Sequence, residues 1–339
     1  MVKNCLIGWF FLCLWKGNLM NVFIDTNLFL DFYRMGKDKL DELDKVFALH
    51  QYGKLKLWLP ALLKNEFWRN RSKVVADNIK DIEKDYKPVL PHIFRQHDDI
   101  REFNKAVTES NKIKNIIFSH IQEQFKTETL AADIVIKRIF DVATIIEADE
   151  ETIKKGMLRY DLGNPPGKNK SYGDAVNWEC LLKEIPERED LYLITEDSDY
   201  KSPFIEGDMN EYMKHEWKTK KKSEPHMYAR LSEFIKDHFP QATNLADLEV
   251  ELTIKDLEES PNFHATHRVI EKLSKYKDFN QNQILKLMHI YFDNDQVGYI
   301  RHDQDVRKFG RKILEEYVAG KNEDNDEFAE HFKNFINGN

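Results

Sequence analysis

Three short segments of this chain place acidic side chains where an apolar stretch ends or a helix begins. Residues 22–27 read Val-Phe-Ile-Asp-Thr-Asn, so Asp25 directly follows a stretch typical of a β-strand. Residues 194–199 read Ile-Thr-Glu-Asp-Ser-Asp after a second apolar stretch, and Asp174 follows Gly173 at the start of a predicted helix. Ligands of open α/β sheets bind outside the carboxyl ends of the strands, so we expect these acids to meet in one crevice.

Converging carboxylates repel one another unless a cation joins them. Mg²⁺ and Mn²⁺ prefer oxygen ligands, keep several of their waters, and are commonly held by one or two carboxylates together with substrate phosphates. The three segments therefore predict a site for one or two Mg²⁺ or Mn²⁺ ions, and the chemistry that such a site suggests is hydrolysis of phosphodiester bonds.

The acids resemble, in order and context, the metal site of the PIN-domain nucleases. The resemblance covers residues 20–240 and includes one further acid on a helix after the first segment. Glu66 matches it, because a short strand there runs through Pro60 into a helix. The resemblance implies that the catalytic metal ligands are Asp25, Glu66, Asp174 and Asp197, with Asp199 as a fifth metal ligand. Thr195 is expected to orient a metal ligand, and Asn27 to hydrogen-bond Asp25 or a substrate phosphate.

Each acid also has a structural explanation. Asp25 could cap the next helix, since Asp is a preferred N-cap residue. Glu66 could be a solvated helix side chain, and Asp174 fits a capping box at the start of its own helix. Asp197 and Asp199 could be ordinary turn residues. We favour one shared site, because four separate explanations would otherwise have to hold in the order that the family shows.

Basic segments adjoin two of the acids. The chain has 51 Lys and Arg against 59 Asp and Glu, and its net charge of −8 does not itself indicate nucleic-acid binding. Local patches decide the field near a substrate, however. Residues 69–73 follow the second acid, Lys168 and Lys170 precede the third, and residues 218–222 form a separate run. We predict that Arg69, Lys168 and Lys170 contact the substrate.

The resemblance implies a three-layer α/β/α fold with a mostly parallel central sheet. Strands are predicted at residues 55–59, 191–195 and 226–229, besides a first strand that begins at Met20. Residues 77–160 are predicted to be a helical insertion, with helices at 77–87 and 98–156 separated by Pro88 and Pro91. Two interpretations of this insertion stay open, a helical hairpin packed on the domain and a wall over the cleft.

The N-terminal 19 residues need a separate interpretation. Residues 5–15 are apolar throughout and lie between Lys3 and Lys16, which resembles a signal-peptide core, but no small-residue cleavage site follows. Because the first strand begins directly at Met20, we expect residues 1–19 to be an extension upstream of the true start. A surface-packed helix and a membrane anchor are the alternatives.

Residues 241–339 are expected to form a separate helical or α+β module whose role the sequence does not indicate, and a protein inhibitor or partner could bind there. If Met20 is the start, Cys180 is the only cysteine, which is typical of a reduced cytoplasm and favours a cytoplasmic protein without membrane association. The chain has no Walker loop, no Gly-x-Ser-x-Gly and no paired Cys-x-x-Cys, so nucleotide hydrolysis, acyl transfer and zinc binding have little support.

The resemblance and the acids together predict a metal-dependent endoribonuclease that binds RNA. Two alternatives stay open, a nuclease for structured or single-stranded DNA and a non-catalytic nucleic-acid-binding or regulatory scaffold on the same fold. The sequence does not distinguish a toxin from a defence or RNA-processing enzyme.

Overall fold

The structure is a computed structural model that describes residues 19–34, 38–167, 172–240, 242, 244–320 and 327–338. These residues divide into two units, one that ends at Ile235 and one that begins at Lys236. The predictions for residues 1–18 and for Lys168 and Lys170 lie outside the described residues.

One sheet of five strands forms the centre of the first unit. In chain order its strands are β1 (Met20–Ile24), β2 (Leu55–Pro60), β3 (Thr144–Ile146), β4 (Leu191–Ile194) and β5 (Pro225–Tyr228). Their order across the sheet is β3-β2-β1-β4-β5, and every neighbouring pair is parallel. The predicted α/β fold class is therefore confirmed, with a sheet that is parallel throughout.

The strand order reverses its direction beside β1. The chain runs outward from β1 to β2 and β3, then returns to β4 on the other side of β1 and continues to β5. Right-handed crossovers place the helices of these two halves on opposite faces of the sheet, and ligands bind where the direction reverses. The carboxyl ends of β1 and β4 are therefore the expected location of a site.

Ten helices connect and follow these strands within the described ranges. They are α1 (Thr26–Asp31), α2 (Leu40–Gln51), α3 (Ala61–Glu83), α4 (His92–Arg95), α5 (Ile100–Lys126), α6 (Ala131–Val142), α7 (Glu150–Asp161), α8 (Gly173–Glu184), α9 (Glu211–Lys221) and α10 (Leu231–His238).

The helices predicted at 77–87 and 98–156 were wrong in their bounds. A single helix, α3, already runs to Glu83, and the second stretch consists of α5, α6, strand β3 and part of α7. The three residues of β3 pair in register with Trp58–Pro60 of β2. A strand this short has no readable alternation of its own, so its pairing with β2 determines its conformation.

An aromatic cluster fixes the start of α3 against α1 and α6. The rings of Phe29, Phe67 and Phe140 meet edge to face, with centroids 5.1 Å apart for Phe29 and Phe140 and 5.2 Å apart for Phe67 and Phe140. All three side chains are buried. Edge-to-face pairs add about 0.5–1.5 kcal/mol each to the stability that burial provides. The cluster holds Glu66, which precedes Phe67, close to the end of β1.

Helices α7 and α8 approach closely at Gly156. A Cβ atom there would lie 2.5 Å from Cγ2 and 2.8 Å from Cα of Val176. The buried guanidinium of Arg159 joins the same helices to α9, because it donates to Glu179 at 2.6 Å and to Glu216 at 2.6 Å. These contacts position the first turn of α8, which carries Asp174.

All the regular secondary structure in the described residues of the second unit is helical. Its helices are α11 (Leu245–Glu258), α12 (Phe263–Leu273), α13 (Gln281–Asp293), α14 (Asp295–Tyr299), α15 (Gln304–Ala319) and α16 (Glu327–Asn337). Their apolar faces enclose a core of their own that includes Phe309, Tyr291 and Phe332. Across all the described ranges, no helix combines the length and the apolar content that a bilayer crossing requires.

Candidate active site

Asp25 is held at the carboxyl end of β1 by two hydrogen bonds. Its Oδ1 accepts from the backbone N–H of Thr26 at 2.7 Å and caps α1, while its Oδ2 accepts from the hydroxyl of Thr195 at 2.9 Å. The side chain is only 3% exposed. The capping explanation and the site explanation therefore do not exclude each other, since each oxygen keeps a further lone pair.

The hydroxyl of Thr195 links the ends of two neighbouring strands. It donates to Asp25 and accepts from the backbone N–H of Asp197 at 3.0 Å. Thr195 is fully buried, so its hydroxyl bonds to these two protein groups and not to solvent. This one side chain therefore links Asp25 to the backbone of Asp197.

Asp197 begins a short 3₁₀ turn, Ser198–Tyr200, and its Oδ1 accepts from the backbone N–H of Asp199 at 2.9 Å. Asp197 is half-buried and Asp199 is buried. As the structural explanation of these two acids predicted, their backbone forms a turn. The same turn keeps both carboxyl groups at the carboxyl end of β4.

Glu66 lies in the second turn of α3, and its Oε2 accepts from the hydroxyl of Thr26 at 3.3 Å. It is half-buried, and Phe67, which follows it, is fully buried. Glu66 is therefore not a fully solvated surface side chain. Its contact with the residue after Asp25 brings it to the same end of the sheet.

Asp174 lies in the first turn of α8 and is half-buried. Its pKa is raised to about 8, mainly by burial and in addition by four neighbouring negative charges. In decreasing order of effect, these charges belong to Asp25, Glu66, Asp197 and Asp199. Because charges act this strongly only over short distances in a protein interior, these four acids lie close to Asp174.

The same repulsion acts on Asp25. The pKa of Asp25 is raised to about 6, mainly by burial. The charges of Asp197 and Glu66 also raise it, and the hydrogen bonds from Thr195 and Thr26 lower it. A cation at this point would reverse the effect, since it favours the ionised form of every carboxyl group around it.

Tyr200 is a residue of this site that the sequence reasoning missed. Its side chain is 1% exposed, and its hydroxyl has no hydrogen-bond partner within the described part of the chain. Burial raises its pKa well above the ordinary value, and further increases come from four of the acids: Asp174, Asp25, Asp197 and Glu66. A buried hydroxyl without a partner is costly. Its position directly after Asp199 was the only signal available in the sequence.

The oxygen atoms at this site are of the type that binds a hard cation. All of them are carboxylate oxygens, which Mg²⁺ and Mn²⁺ prefer, and the unpartnered phenol of Tyr200 could donate to a carboxylate or to water on an ion. The side-chain positions do not form a finished coordination sphere: among the described residues, no three His, Cys, Asp or Glu side chains surround a common point. The site therefore matches such an ion in ligand type and in charge, and not in the arrangement of the ligand atoms.

Two of the residues predicted to contact substrate lie within the described part of the chain and are solvent-exposed. They are Arg69 and Asn27. Arg71, in the same basic segment as Arg69, is buried and donates through Nε to Asp133 at 2.6 Å, which joins α3 to α6. It is therefore committed to the fold, and Arg69 is the arginine of this segment that solvent or a substrate can reach.

The fold and the site define an all-parallel α/β protein in which Asp25 and Asp197 follow the central strands and Glu66 and Asp174 lie in the first two turns of α3 and α8. The sequence profile of the PIN domain matches residues 22–200, more than half of the chain and a range that contains all five acids, so the chain belongs to the PIN-domain family. Membership of this family indicates a nuclease. No curated protein and no solved structure matches the chain.

Proposed function

We propose that this protein is a metal-dependent endoribonuclease that hydrolyses RNA through its carboxylate cluster. The observation that carries the proposal is the linkage of Asp25 and Asp197 by Thr195, together with the repulsion that all the other acids exert on Asp174. Perturbed pKa values in a cleft are typical of functional sites, and family membership supports a nuclease.

Asp25, Asp174 and Asp197 would hold one or two Mg²⁺ or Mn²⁺ ions, with Glu66 and Asp199 as further ligands. When bound, such an ion acts as a Lewis acid that polarises the phosphate and lowers the pKa of a bound water. The chain's own residues orient the carboxyl groups that would hold the ion.

This orientation comes from hydroxyl groups beside the acids. Thr195 and the backbone of Thr26 fix both oxygens of Asp25, and the hydroxyl of Thr26 fixes one oxygen of Glu66. Ligands that are held before the ion arrives lose less entropy when it binds.

The proposal is tested with Asp25→Asn, which keeps the shape of the side chain and removes its charge. The matched control is Glu196→Gln, an exposed acid in the same loop as Asp197. Total RNA and single-stranded DNA are incubated separately with each protein and Mn²⁺, and the new ends are mapped.

We expect the wild type and Glu196→Gln to produce internal cuts in RNA and Asp25→Asn to lose most of this activity. Equal cleavage by Asp25→Asn and the wild type would contradict the assignment of the site, and cleavage of DNA alone would contradict the assignment of the substrate.

A further inference from the structure

The second unit carries a positively charged groove along α15. Two adjoining open cavities, with volumes of about 460 Å³ and about 680 Å³, share Lys308 and Lys312 in their walls. We call them together the α15 groove. The five cations that line it are Arg268, Arg307, Lys308, Arg311 and Lys312.

Four of these cations form two rows on α15. Arg307 and Arg311 are four residues apart, as are Lys308 and Lys312, so each pair lies on one side of the helix about one turn apart. A ligand with a regular series of negative charges can contact such rows at successive points.

Neutral oxygens hold three of the cations in place. Nη2 of Arg307 donates to the backbone carbonyl of Asn337 at 3.3 Å, and Nη2 of Arg311 donates to Oδ1 of Asn337 at 3.0 Å. Nζ of Lys312 donates to the carbonyl of Tyr276. Because these acceptors carry no net charge, they orient the cations and leave the positive charge uncancelled.

Carboxylates compensate little of this charge. Of the acids in the described ranges, none forms an ion pair with an arginine of the α15 groove or with Lys308, and Lys312 is 3.8 Å from Glu316. Three acids also line the groove wall. Glu271 contacts Lys275, outside the wall, at 3.0 Å, and Asp305 contacts His267, within the wall, at 2.7 Å. Glu315 is exposed, so the wall carries five cations against three carboxyl groups.

The arginines also have a structural role at the end of α16, whose final carbonyls favour a positive charge. That role accounts for the contacts of Arg307 and Arg311 with Asn337, but not for Lys308 and Arg268, which are exposed. Arg311 is also exposed, and a guanidinium with a fixed orientation and donors that face solvent is suited to phosphate.

We propose that the α15 groove binds the phosphate backbone of a single-stranded nucleic acid. The choice of a nucleic acid over another polyanion rests on the proposed function, because a nuclease benefits from a second contact that holds its substrate. Backbone contacts of this kind supply affinity without sequence preference and weaken as salt rises.

The test uses the full chain carrying Asp25→Asn in EDTA, so that cleavage does not interfere. Binding of a fluorescent uridine 20-mer is measured by anisotropy over a range of salt concentrations. Lys308→Gln with Arg311→Gln is compared with Lys277→Gln and Lys333→Gln, a control pair of exposed lysines that lie outside the groove wall and remove the same charge.

We expect the groove variant to raise Kd about tenfold, while the control pair changes it less than twofold. The slope of log K against log salt should fall by about 0.7 for each lost phosphate contact. Thermal melting checks that both variants are folded.

An unchanged Kd and salt slope in the groove variant, or an equal loss in the control pair, would overturn the proposal. So would competition by polyglutamate at the same charge concentration as RNA, because the groove would then bind acidic protein equally well. Binding in EDTA does not depend on cleavage. A wild type that binds RNA through the groove but never cuts it would refute the proposed function and leave this inference standing.

Discussion

The hydroxyl of Thr195 donates to Oδ2 of Asp25 at 2.9 Å, although 170 positions of the chain separate the two residues. The contact exists because β1 and β4 are parallel neighbours, so the residues that follow them lie side by side. It lowers the pKa of Asp25 against the larger effect of burial. One uncharged side chain thus keeps a buried carboxyl group closer to its ionised form.

Thr195→Val should therefore weaken metal binding more than it weakens the fold. Loss of a residue that orients a metal ligand typically costs 10–100-fold in metal affinity or activity. We expect calorimetry with Mn²⁺ to show a loss of this size for Thr195→Val. Thr195→Ser keeps the hydroxyl and should stay close to the wild type; equal losses in both variants would show that the methyl group, and not the hydroxyl, matters.

The metal-free protein should become less stable as the pH rises from 5 to 8.5. The pKa values of Asp25 and Asp174, about 6 and about 8, lie above their ordinary value of 3.8, so the native state binds protons more tightly than the unfolded state. The resulting stabilisation is complete below pH 4 and is lost as the pH rises through these native pKa values. Each kcal/mol lost lowers Tm by about 2–4 °C in a domain of this size.

Thermal melting in EDTA at several pH values measures this effect. Asp174→Asn cannot ionise at that position, so its Tm should fall less over the same range, and Mg²⁺ should reduce the fall in the wild type. A wild-type Tm that rises between pH 5 and 8.5 in EDTA would contradict the raised pKa values.

Tyr200→Phe tests two effects of the buried hydroxyl, its effect on the stability of the metal-free protein and its contribution to metal binding. Without metal, the hydroxyl has no partner in the described part of the chain, so its removal should leave the free energy of unfolding unchanged or raise it by about 1 kcal/mol. With Mn²⁺ present, the variant should gain less stability than the wild type, because a donor beside the acids is missing. Urea unfolding with and without Mn²⁺ measures both. An equal gain from Mn²⁺ in the two proteins would show that the hydroxyl takes no part in metal binding.

Gly156→Ala should disturb the site from a distance. The new Cβ would lie 2.8 Å from the backbone Cα of Val176, so α7 and α8 would have to separate. Overpacking of this kind typically costs about 1–3 kcal/mol, which urea unfolding can measure. Because α8 carries Asp174, we also expect a lower cleavage rate.

A matched substitution at Gly163 distinguishes these effects from simple loss of a glycine. A Cβ there would meet no atom within 4 Å, so Gly163→Ala adds only backbone strain at a residue with φ of 73°. If both variants reduce cleavage equally, the contact between α7 and α8 does not control the position of Asp174.

The sequence determined the local parts of this protein. An apolar stretch that ends in an acid is recognisable without any partner, and the acids after β1 and β4 and at the start of α8 were predicted in their correct elements. The fold class followed from the family resemblance that the same segments carry, and the strands were recognisable because their periodicity is a property of neighbouring residues.

Only the tertiary structure decided which side chains meet. The hydrogen bonds of Asp25 to Thr195 and of Glu66 to Thr26, and the pairing of Arg71 with Asp133, join residues that are distant in the chain. Strand β3 exists through its pairing with β2, and the α15 groove exists because separate helices pack side by side. Such contacts depend on crossovers and packing between elements, and no local pattern of residue types encodes them.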